Sequence, residues 1–323
     1  MCTAISVIAG DNYFGRNLDY ESDFGEKIVI TPRKYCFSFS CGDRLNEHYA
    51  IIGMAVVGGE YPLYFDATNE AGLSMAGLRF AGNAVFNKGK KGKKNIASFE
   101  FIPWVLSKCK SIYEAERLVE NVNITDDAFS EQMPPAPLHW IIADRNGAIT
   151  VEQTVKGLNV YQNPVGVLTN NPEFDMQLLN LANYMTLSAK EPESLFTDRF
   201  QLESYSRGMG AMGLPGDLSS MSRFIKASFI CENSVYSKDE ESIVNHFFHT
   251  LYSVYQQKGC VRVGNGFEIT NYTSCCNASR GIYYYTTYEN SNINAVDMHR
   301  ENLDKEELMK FELIKRQKVN MQN

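Results

Sequence analysis

Short runs of apolar residues with interspersed polar positions open this chain, a pattern typical of β-strands. It predicts strands over residues 3–8, 27–31 and 49–57. The same pattern predicts later strands over residues 139–143, 148–153, 158–162, 165–169, 282–287 and 293–298. Asp144-Arg145-Asn146-Gly147 separates the first two of these later strands and is a good hairpin turn. Strands are therefore expected near both ends of the chain.

Helices are predicted in three places, over residues 98–110, 111–122 and 240–257. The second begins with a capping box formed by Ser111 and Glu114. Its apolar face consists of Ile112, Ala115, Leu118, Val119 and Val122. The third is followed by Gly259, and its apolar side consists of Val244, Phe247, Phe248, Leu251 and Tyr255. This order of elements is compatible with helices that cover stacked sheets, although the periodicity does not give the order of the layers.

Length and composition fit one ordinary globular domain. Hydrophobic residues make up 44% of the 323 residues, and no linker rich in Pro, Gly or Ser divides them, so we expect a single domain over residues 1–323. The net charge of −7 argues against nucleic acid as a partner. No apolar run approaches the roughly 18 residues of a membrane span, and the N-terminus lacks a signal-peptide pattern. These features predict a cytoplasmic protein.

The cysteines and histidines show no pattern of a disulfide framework or a metal site. The eight cysteines form no Cys-x-x-Cys pair, so we interpret all but Cys2 as small buried hydrophobic residues. His246 and His249 are spaced as on one helix face but lack acidic partners, and we interpret them as structural. A papain-like mechanism would need a histidine close to the cysteine, and the sequence singles none out without excluding one. We expect no metal and no organic cofactor.

Cys2 is the most informative candidate for chemistry. A small second residue allows an aminopeptidase to remove Met1, and Cys2 would then carry a thiol and a free α-amine. The ordinary pKa of the amine is about 7.7–8.0 and that of a thiol about 8.5. The amine can therefore accept the proton of the thiol without a histidine, as in nucleophiles activated by an N-terminal amine. Taken alone, a small residue after methionine is common and carries no such meaning.

Arg16 and Asp19 follow Cys2 closely in the segment Phe14-Gly15-Arg16-Asn17-Leu18-Asp19. A nearby cation such as Arg16 favours a thiolate, and Asp19 can accept a hydrogen bond from the N-terminal amine. In a strand, however, Arg16 and Leu18 lie on one face and Asp19 on the other. The sequence therefore predicts a turn or bulge here if both charges serve one site. The alternative is a surface ion pair of little energetic value.

These motifs resemble the choloylglycine hydrolase family, which includes bile salt hydrolases and penicillin V acylases. The resemblance extends over nearly the whole chain, in the same order along it. Its further motifs are Tyr61-Pro62-Leu63-Tyr64-Phe65-Asp66, Asn69-Glu70-Ala71-Gly72-Leu73, Leu138-His139-Trp140, Val151-Glu152-Gln153-Thr154, Leu168-Thr169-Asn170-Asn171-Pro172, Leu214-Pro215-Gly216-Asp217, Ser222-Arg223-Phe224 and Tyr285-Thr286-Thr287-Tyr288-Glu289-Asn290.

The resemblance implies an α+β fold, the four-layer αββα sandwich of N-terminal-nucleophile hydrolases. It implies hydrolysis of glycine- or taurine-conjugated bile salts by a homotetramer, with Cys2 as nucleophile. It assigns Asn170 to the oxyanion hole and Arg223 to a second active-site arginine. From the residues alone, Asn170 is a turn asparagine before a proline and Arg223 an exposed helix arginine. Two alternatives stay open, a penicillin V acylase and a catalytically silent bile-acid-binding protein.

Arg79 is the main departure from the family pattern. Bile salt hydrolases commonly have Asn at this position and penicillin V acylases often have Tyr, whereas here the segment reads Ala76-Gly77-Leu78-Arg79-Phe80. The resemblance assigns the backbone N–H of this residue to the oxyanion hole, and a backbone donor survives any side chain except proline. The Arg79 side chain either contacts the anionic end of a conjugate or forms a salt bridge without a role in binding.

The acyl group of the substrate is expected in an apolar cleft. Positions that match the pocket of the family are Leu18, Val57, Gly58, Phe65, Arg79, Phe129 and Met133. From the residues alone, the apolar members of this set are more simply explained as core or loop positions.

Overall fold

The computed structural model describes residues 1–323, and most of its strands belong to two sheets of seven and eight strands. The strands in chain order are β1 Cys2–Ala9, β2 Asp11–Tyr20, β3 Lys27–Thr31, β4 Phe37–Ser38, β5 Arg44–Leu45, β6 Ile51–Gly58, β7 Tyr61–Asn69, β8 Ser74–Arg79, β9 Lys94–Ala97, β10 Val122–Thr125, β11 Leu138–Asp144, β12 Gly147–Thr154, β13 Gly157–Gln162, β14 Val167–Leu168, β15 Val261–Val263, β16 Gly266–Asn277, β17 Ile282–Thr287, β18 Asn290–Asp297 and β19 Met309–Phe311.

Five α-helices accompany the sheets. They are α1 Phe101–Leu106, α2 Ile112–Val119, α3 Phe174–Leu181, α4 Ser220–Asn233 and α5 Glu240–Tyr252. Short 3₁₀ turns occur at Ser98–Glu100, Ala182–Tyr184, Met209–Ala211 and Met298–Arg300. No helix combines the length and the apolar character needed to cross a membrane.

The seven-stranded sheet has the order β14-β1-β2-β16-β17-β18, with β15 paired to β16. Its centre joins the start of the chain to a strand more than 240 residues later, because β2 pairs with β16. Gly15 permits this pairing, since a Cβ added there would lie 2.0 Å from the carbonyl oxygen of Ser274. The eight-stranded sheet has the order β13-β12-β11-β8-β7-β6-β3-β19.

The two sheets pack face to face, and helices cover both outer faces. Helices α4 and α5 contact the seven-stranded sheet, and α1 and α2 contact the eight-stranded sheet. Alternation along β11 shows the layering, because Ile141 and Ala143 enter one hydrophobic cluster while Trp140 and Ile142 enter another. The first cluster contains 36 buried residues and includes Cys2, and the second contains 26. The expected αββα sandwich is thus confirmed.

Most element predictions are correct in type, and the errors lie at element ends. The hairpin at residues 144–147 forms as expected, with Asp144 paired to Gly147. Helix α2 starts after Ser111, whose side chain accepts from the N–H of Glu114. It stops at Val119, however, because Val122 begins β10, which pairs in parallel with β9. The predicted helices over 98–110 and 240–257 and the strand over 165–169 are likewise shorter than expected.

Candidate active site

Cys2 begins β1 and lies directly opposite Leu18 of β2, while Ala4 lies opposite Arg16. Residues that face each other across an antiparallel pair share one side of the sheet. Cys2 and Arg16 therefore lie on the same side, and this side faces the eight-stranded sheet, where Arg16 makes its hydrogen bonds. Cys2 is only 4% exposed, so its thiol lies in a largely water-free environment.

The guanidinium of Arg16 is fully buried and bridges the two sheets. Its Nη1 donates to the carbonyl oxygens of Phe65 at 3.0 Å and Gly77 at 2.6 Å. Its Nη2 has no hydrogen-bond partner. Burial opposes the positive charge, but the neighbouring Cys2, Tyr272 and Asp66 outweigh burial and raise the pKa of Arg16. Arg16 therefore keeps its positive charge on the same side of the sheet as Cys2, and its Nη2 remains free to donate a hydrogen bond.

Asp19 lies on the opposite face of β2 and is also buried. Its Oδ1 accepts from Thr270 Oγ1 at 2.6 Å, whereas its Oδ2 has no partner. Burial raises the pKa of Asp19, while the nearby Arg223 and N-terminal ammonium act in the opposite direction. An unpaired carboxylate oxygen in such a place can accept a further hydrogen bond.

The expected bulge in the Arg16–Asp19 segment is absent, because β2 is an unbroken strand with alternating faces. The irregularity lies in its partner β16, between Thr270 and Tyr272. Both charged residues still lie near Cys2, because Cys2 stands at the very start of its strand. Its thiol points to the face of Arg16, and its backbone nitrogen lies at the strand end beside Asp19.

With Met1 in place, the Cys2 nitrogen is a peptide N–H. It donates to Asn170 Oδ1 at 2.8 Å. The Met1 amine donates to the carbonyl oxygen of Asp19 at 2.8 Å and forms an ion pair with the buried carboxylate of Glu268. No other side-chain partner of Glu268 is seen, so this carboxylate depends on the chain terminus for its pairing.

Arg223 links Asn170 to the start of β1. Its guanidinium, carried by α4, donates from Nη2 to Asn170 Oδ1 at 2.7 Å and from Nη1 to Thr3 Oγ1 at 2.6 Å and to the Cys2 carbonyl. Arg223 is completely buried, so the interpretation as an exposed helix arginine is wrong. Burial lowers the pKa of Arg223, against the effect of Asp19.

Both the backbone and the side chain of Asn170 are fixed by hydrogen bonds. Its backbone N–H donates to Ser220 Oγ at 2.8 Å, and its carbonyl accepts from Gln177 Nε2 at 2.7 Å. Its side-chain Nδ2 donates one hydrogen to the carbonyl oxygen of Arg79 at 2.7 Å. The second Nδ2 hydrogen makes no hydrogen bond within the chain. Asn170 thus keeps one fixed donor free, which a turn asparagine would not need.

The backbone of Arg79 points away from β11. The N–H of Phe80 bonds the carbonyl oxygen of Pro137, which makes Arg79 and Leu138 a pair without mutual hydrogen bonds. The N–H and the carbonyl of Arg79 therefore face the opposite side, where Asn170 binds the carbonyl. Pairing between β7 and β8 ends at Ala76, so no strand pairs with Arg79 on the side opposite β11. The Arg79 side chain is exposed.

The predicted pocket residues fall into two groups. Leu18 and Phe65 adjoin Arg16, whose Nη1 binds the Phe65 carbonyl. Gly58, Phe129 and Met133 form the second group, because a Cβ on Gly58 would lie 2.5 Å from the Phe129 ring and Met133 binds the backbone of Phe129. Val57 precedes Gly58 and packs against the second hydrophobic cluster.

A cavity of 310 Å³ lies at the other end of β1 and contains none of the predicted site residues. Its walls include Val7, Pro164 and Tyr236.

Comparison with known proteins identifies the family. The profile described as linear amide C–N hydrolases, choloylglycine hydrolase family, matches residues 2–311. This chain belongs to the choloylglycine hydrolase family. It is 50% identical over 314 residues to the bile salt hydrolase/transferase of Lactiplantibacillus plantarum, with 97% of each chain covered. It is 40% identical over 331 residues to the bile salt hydrolase/transferase of Clostridium perfringens, with 100% of both chains covered.

Solved structures agree with this family and its fold. A mutant conjugated bile acid hydrolase from Clostridium perfringens matches with a TM-score of 0.91 and 38% identity over 100% of both chains. The penicillin V acylase of Agrobacterium tumefaciens matches with a TM-score of 0.77 and 20% identity, over 96% of this chain and 91% of the other. At that identity the second match bears on the fold alone. As a choloylglycine hydrolase family member, the chain is an enzyme that acts on linear amide bonds.

Three polar residues beside the candidate site were not predicted from the sequence. Thr270 binds Asp19, Glu268 pairs with the Met1 amine, and Ser220 holds the backbone of Asn170. Alternation along β16 puts Glu268 and Thr270 on one face, a signal that the sequence does contain. That signal does not reveal that β16 pairs with β2, so it could not have located these residues at the site.

Proposed function

We propose that this chain hydrolyses the amide bond of glycine- or taurine-conjugated bile salts, with Cys2 as nucleophile. The substrate class rests on the two relatives named bile salt hydrolase/transferase, which match at 50% and 40% identity over nearly their full lengths. The chemistry rests on one observation. The buried Cys2 adjoins two buried charged residues, Arg16 and Asp19, and each of them keeps a polar atom without a partner.

Removal of Met1 starts the mechanism, because it converts the Cys2 nitrogen into a primary amine. The amine takes the thiol proton, and Sγ attacks the carbonyl carbon of the amide. The tetrahedral intermediate collapses, the C–N bond breaks, and the ammonium gives its proton to the departing nitrogen of glycine or taurine. Water then attacks the thioester carbonyl while the amine accepts its proton. The C–S bond breaks, free bile acid leaves, and the ammonium returns the proton to the Cys2 thiolate.

Two donors stabilise the negative oxygen of the tetrahedral intermediate in this proposal. They are the second Nδ2 hydrogen of Asn170 and the backbone N–H of Arg79. Their nearness is supported by the hydrogen bond from Asn170 Nδ2 to the Arg79 carbonyl. Fixed donors aimed at a developing oxyanion are worth more than donors that must reorient during the reaction.

In this proposal Arg16 acts on the thiol of Cys2, and Asp19 acts on its α-amine. Arg16 favours the thiolate through its charge and its free Nη2. Asp19 accepts from the α-amine through its free Oδ2 and orients the nitrogen toward the thiol. Arg223 holds the Cys2 carbonyl and the Asn170 side chain, so that nucleophile and oxyanion donor keep a constant separation.

The acyl group lies, in this proposal, along apolar residues beside Arg16 and Phe129, which range from the buried Leu18 to the exposed Met133. The predicted contacts are Leu18, Val57, Gly58, Phe65, Phe129 and Met133. The exposed Arg79 side chain stands at the mouth of the site, where it can meet the carboxylate or sulfonate of the conjugate. The mechanism requires no metal and no organic cofactor.

We further propose a cytoplasmic homotetramer of single-domain subunits, residues 1–323. Support for assembly comes from an arm, residues 188–213, which has no strand and no α-helix. Its apolar residues Leu195, Phe196, Leu202 and Tyr205 are well exposed. A surface of this kind in a soluble protein is typical of an interface, and we expect a second copy of the chain to cover it.

Parallel hydrolysis assays of glycocholate, taurocholate and penicillin V test the proposed function. We expect either bile salt to be cleaved with the higher kcat/KM. Penicillin V as the better substrate would assign the chain to the acylases. Binding of a bile salt without turnover by protein that starts at Cys2 would make it a binding protein instead.

Processing provides a separate prediction. Intact-mass measurement is expected to show protein shorter by one methionine, with Cys2 as the first residue. A variant with Leu inserted between Met1 and Cys2 should keep its extension and lose nearly all turnover, because no α-amine is then available at the cysteine. Full activity with residues still attached before Cys2 would remove the amine from the mechanism.

A further inference from the structure

Two family motifs, Leu138-His139-Trp140 and Val151-Glu152-Gln153-Thr154, contain a buried pair of ionisable residues that the mechanism above does not use. His139 of β11 and Glu152 of β12 lie in the eight-stranded sheet, each next to the paired residues Trp140 and Val151. Both are completely buried, and His139 Nδ1 lies 2.8 Å from Glu152 Oε1. Buried ionisable groups in the interior of a sheet require a reason, because their desolvation is costly.

The pair forms hydrogen bonds with the backbone before and after Asn170. His139 Nε2 lies 2.9 Å from the carbonyl oxygen of Thr169, the residue before Asn170. Glu152 Oε2 accepts from the N–H of Phe174, the first residue of α3, at 3.2 Å. The segment that carries the predicted side-chain donor is thus fixed at its start and at its end by one ion pair.

The same imidazole also supports the second predicted donor. Phe80, which follows Arg79, stacks on the His139 ring with centroids 4.1 Å apart and planes inclined by 6°. The N–H of Phe80 binds the carbonyl of Pro137, two residues before His139. The position of the Arg79 backbone therefore depends on the residue that also fixes Asn170.

Hydrogen-bond accounting defines the state of the pair. Each ring nitrogen of His139 faces an oxygen, and the Thr169 carbonyl can only accept. Nε2 therefore carries a hydrogen, and one further proton lies between Nδ1 and Glu152. With that proton the three hydrogen bonds of the pair are satisfied at once, which makes the pair rigid rather than merely buried.

We propose that His139 and Glu152 are positioning residues that keep the two oxyanion donors, Asn170 Nδ2 and the Arg79 N–H, at a fixed spacing. Neither residue touches substrate. The inference rests on the proposed function, since it presumes that these two groups bind the oxyanion. A buried ion pair adds little to stability compared with apolar residues of similar size, so its effect should appear in the reaction rather than in folding.

The test uses a double variant, His139→Leu with Glu152→Met, which removes the pair without leaving an unpaired buried charge. A misplacement of donors by about 1 Å can cost about 100-fold in rate. We therefore expect kcat for glycocholate to fall by a factor of that order, while KM stays within about threefold. Glu152→Gln is the conservative variant, because its amide can donate to a neutral His139 Nδ1 and keep the spacing. It should retain most of the wild-type kcat.

The aldehyde analogue of cholic acid separates positioning from general damage. Its carbonyl carbon bonds to Cys2 Sγ, and its oxygen, which takes the thiol proton, occupies the oxyanion position. The double variant should lose affinity for the aldehyde in proportion to kcat/KM, yet bind free cholate and react with iodoacetamide as the wild type does. Thr68→Val with Ser74→Ala, which removes another buried polar pair of the same sheet, should leave all of these values unchanged.

Two results would overturn the inference. One is a double variant with wild-type kcat. The other is a reduced kcat with unchanged aldehyde affinity, which would put the defect outside the oxyanion site. Failure of the proposed function would look different, because the wild type itself would then not cleave glycocholate. In that case the same variants are compared on penicillin V, where a cleaved amide passes through the same kind of oxyanion.

Discussion

The region around Cys2 and the arm of residues 188–213 are built on opposite principles. Around Cys2 the charged residues are buried, and their hydrogen bonds join parts of the chain far apart in sequence, such as Arg223 with Cys2. In the arm, large apolar residues are exposed, with Leu195 at 85% and Tyr205 at 81%. Its hydrogen bonds join residues of the arm itself, such as Ser188 with Gly210.

This difference shows which properties one chain determines alone. Donors and charges near Cys2 are fixed by partners within the same subunit, so the chemistry should survive separation of subunits. Leu187 and Leu214, the residues that flank the arm, pack against the first hydrophobic cluster, whereas no residue of the arm itself packs against either cluster. Its exposed apolar surface has no partner within the subunit, so it should affect assembly far more than the reaction.

The largest effect is expected at the nucleophile. Cys2→Ser should lower turnover by more than about a thousandfold even when Met1 is removed, because a hydroxyl is too weak an acid for the α-amine to deprotonate readily. Steady-state assays on protein of verified mass measure this loss. Cys36 is exposed, so its interpretation as a buried residue was wrong, and Cys36→Ser serves as the control that should remain fully active. Near-normal turnover by Cys2→Ser would end the mechanism proposed here.

The next effect is expected at Asn170. Asn170→Ala should lower kcat by about 10²–10³-fold, as found when one oxyanion donor is removed, with a much smaller change in KM. Asn171→Ala is a matched control, because its Nδ2 binds the carbonyl of Ala81 rather than that of Arg79. Equal losses in the two variants would indicate a damaged loop instead of a missing donor.

The sequence predicts this buried region unevenly. Cys2 and Arg16 are found from their position and chemical type, and β1 from its apolar pattern, whereas the pattern did not predict β2, the strand that carries Arg16. Thr270, the partner of Asp19, and Glu268, the partner of the Met1 amine, could not be found in this way. Both reach the site through the pairing of β2 with β16, and single-sequence patterns carry no pairing information. The bulge was expected in the wrong strand for the same reason. Periodicity also extended the predicted helix over 111–122 too far, because Val122 belongs to β10, which pairs with β9.

Assembly should respond to the arm. Leu195→Ser combined with Phe196→Ser is expected to convert a tetramer into smaller species, because each buried apolar side chain contributes about 1.5–3 kcal/mol. Sedimentation velocity measures the change, and kcat per subunit should stay within about twofold of wild type. Val155→Ser, at an exposed apolar residue outside the arm, should leave the oligomer intact. A wild-type monomer, or an intact tetramer in the arm variant, would contradict the proposed interface.

Arg79 belongs to both kinds of region, and its substitution should have the smallest effect. Its carbonyl is bound by Asn170 in the buried network, while its side chain is exposed. Arg79→Asn should therefore leave kcat nearly unchanged, because the proposed donor is backbone. If the guanidinium meets the anionic end of the conjugate, KM for tauro- and glyco-conjugates should rise by at most several-fold, since an exposed charge contact is worth about 0–1 kcal/mol.

The outcome for Arg79 also bears on the substrate. Arg145→Asn, at an exposed arginine of the 144–147 hairpin, controls for loss of surface charge and should change neither parameter. An unchanged KM in Arg79→Asn would mean that the side chain faces away from the substrate. Improved bile-salt turnover, together with penicillin V as the better wild-type substrate, would mean that Arg79 excludes bile salts. The exposed half of this residue would then select the substrate, while its buried half serves the reaction common to both branches of the family.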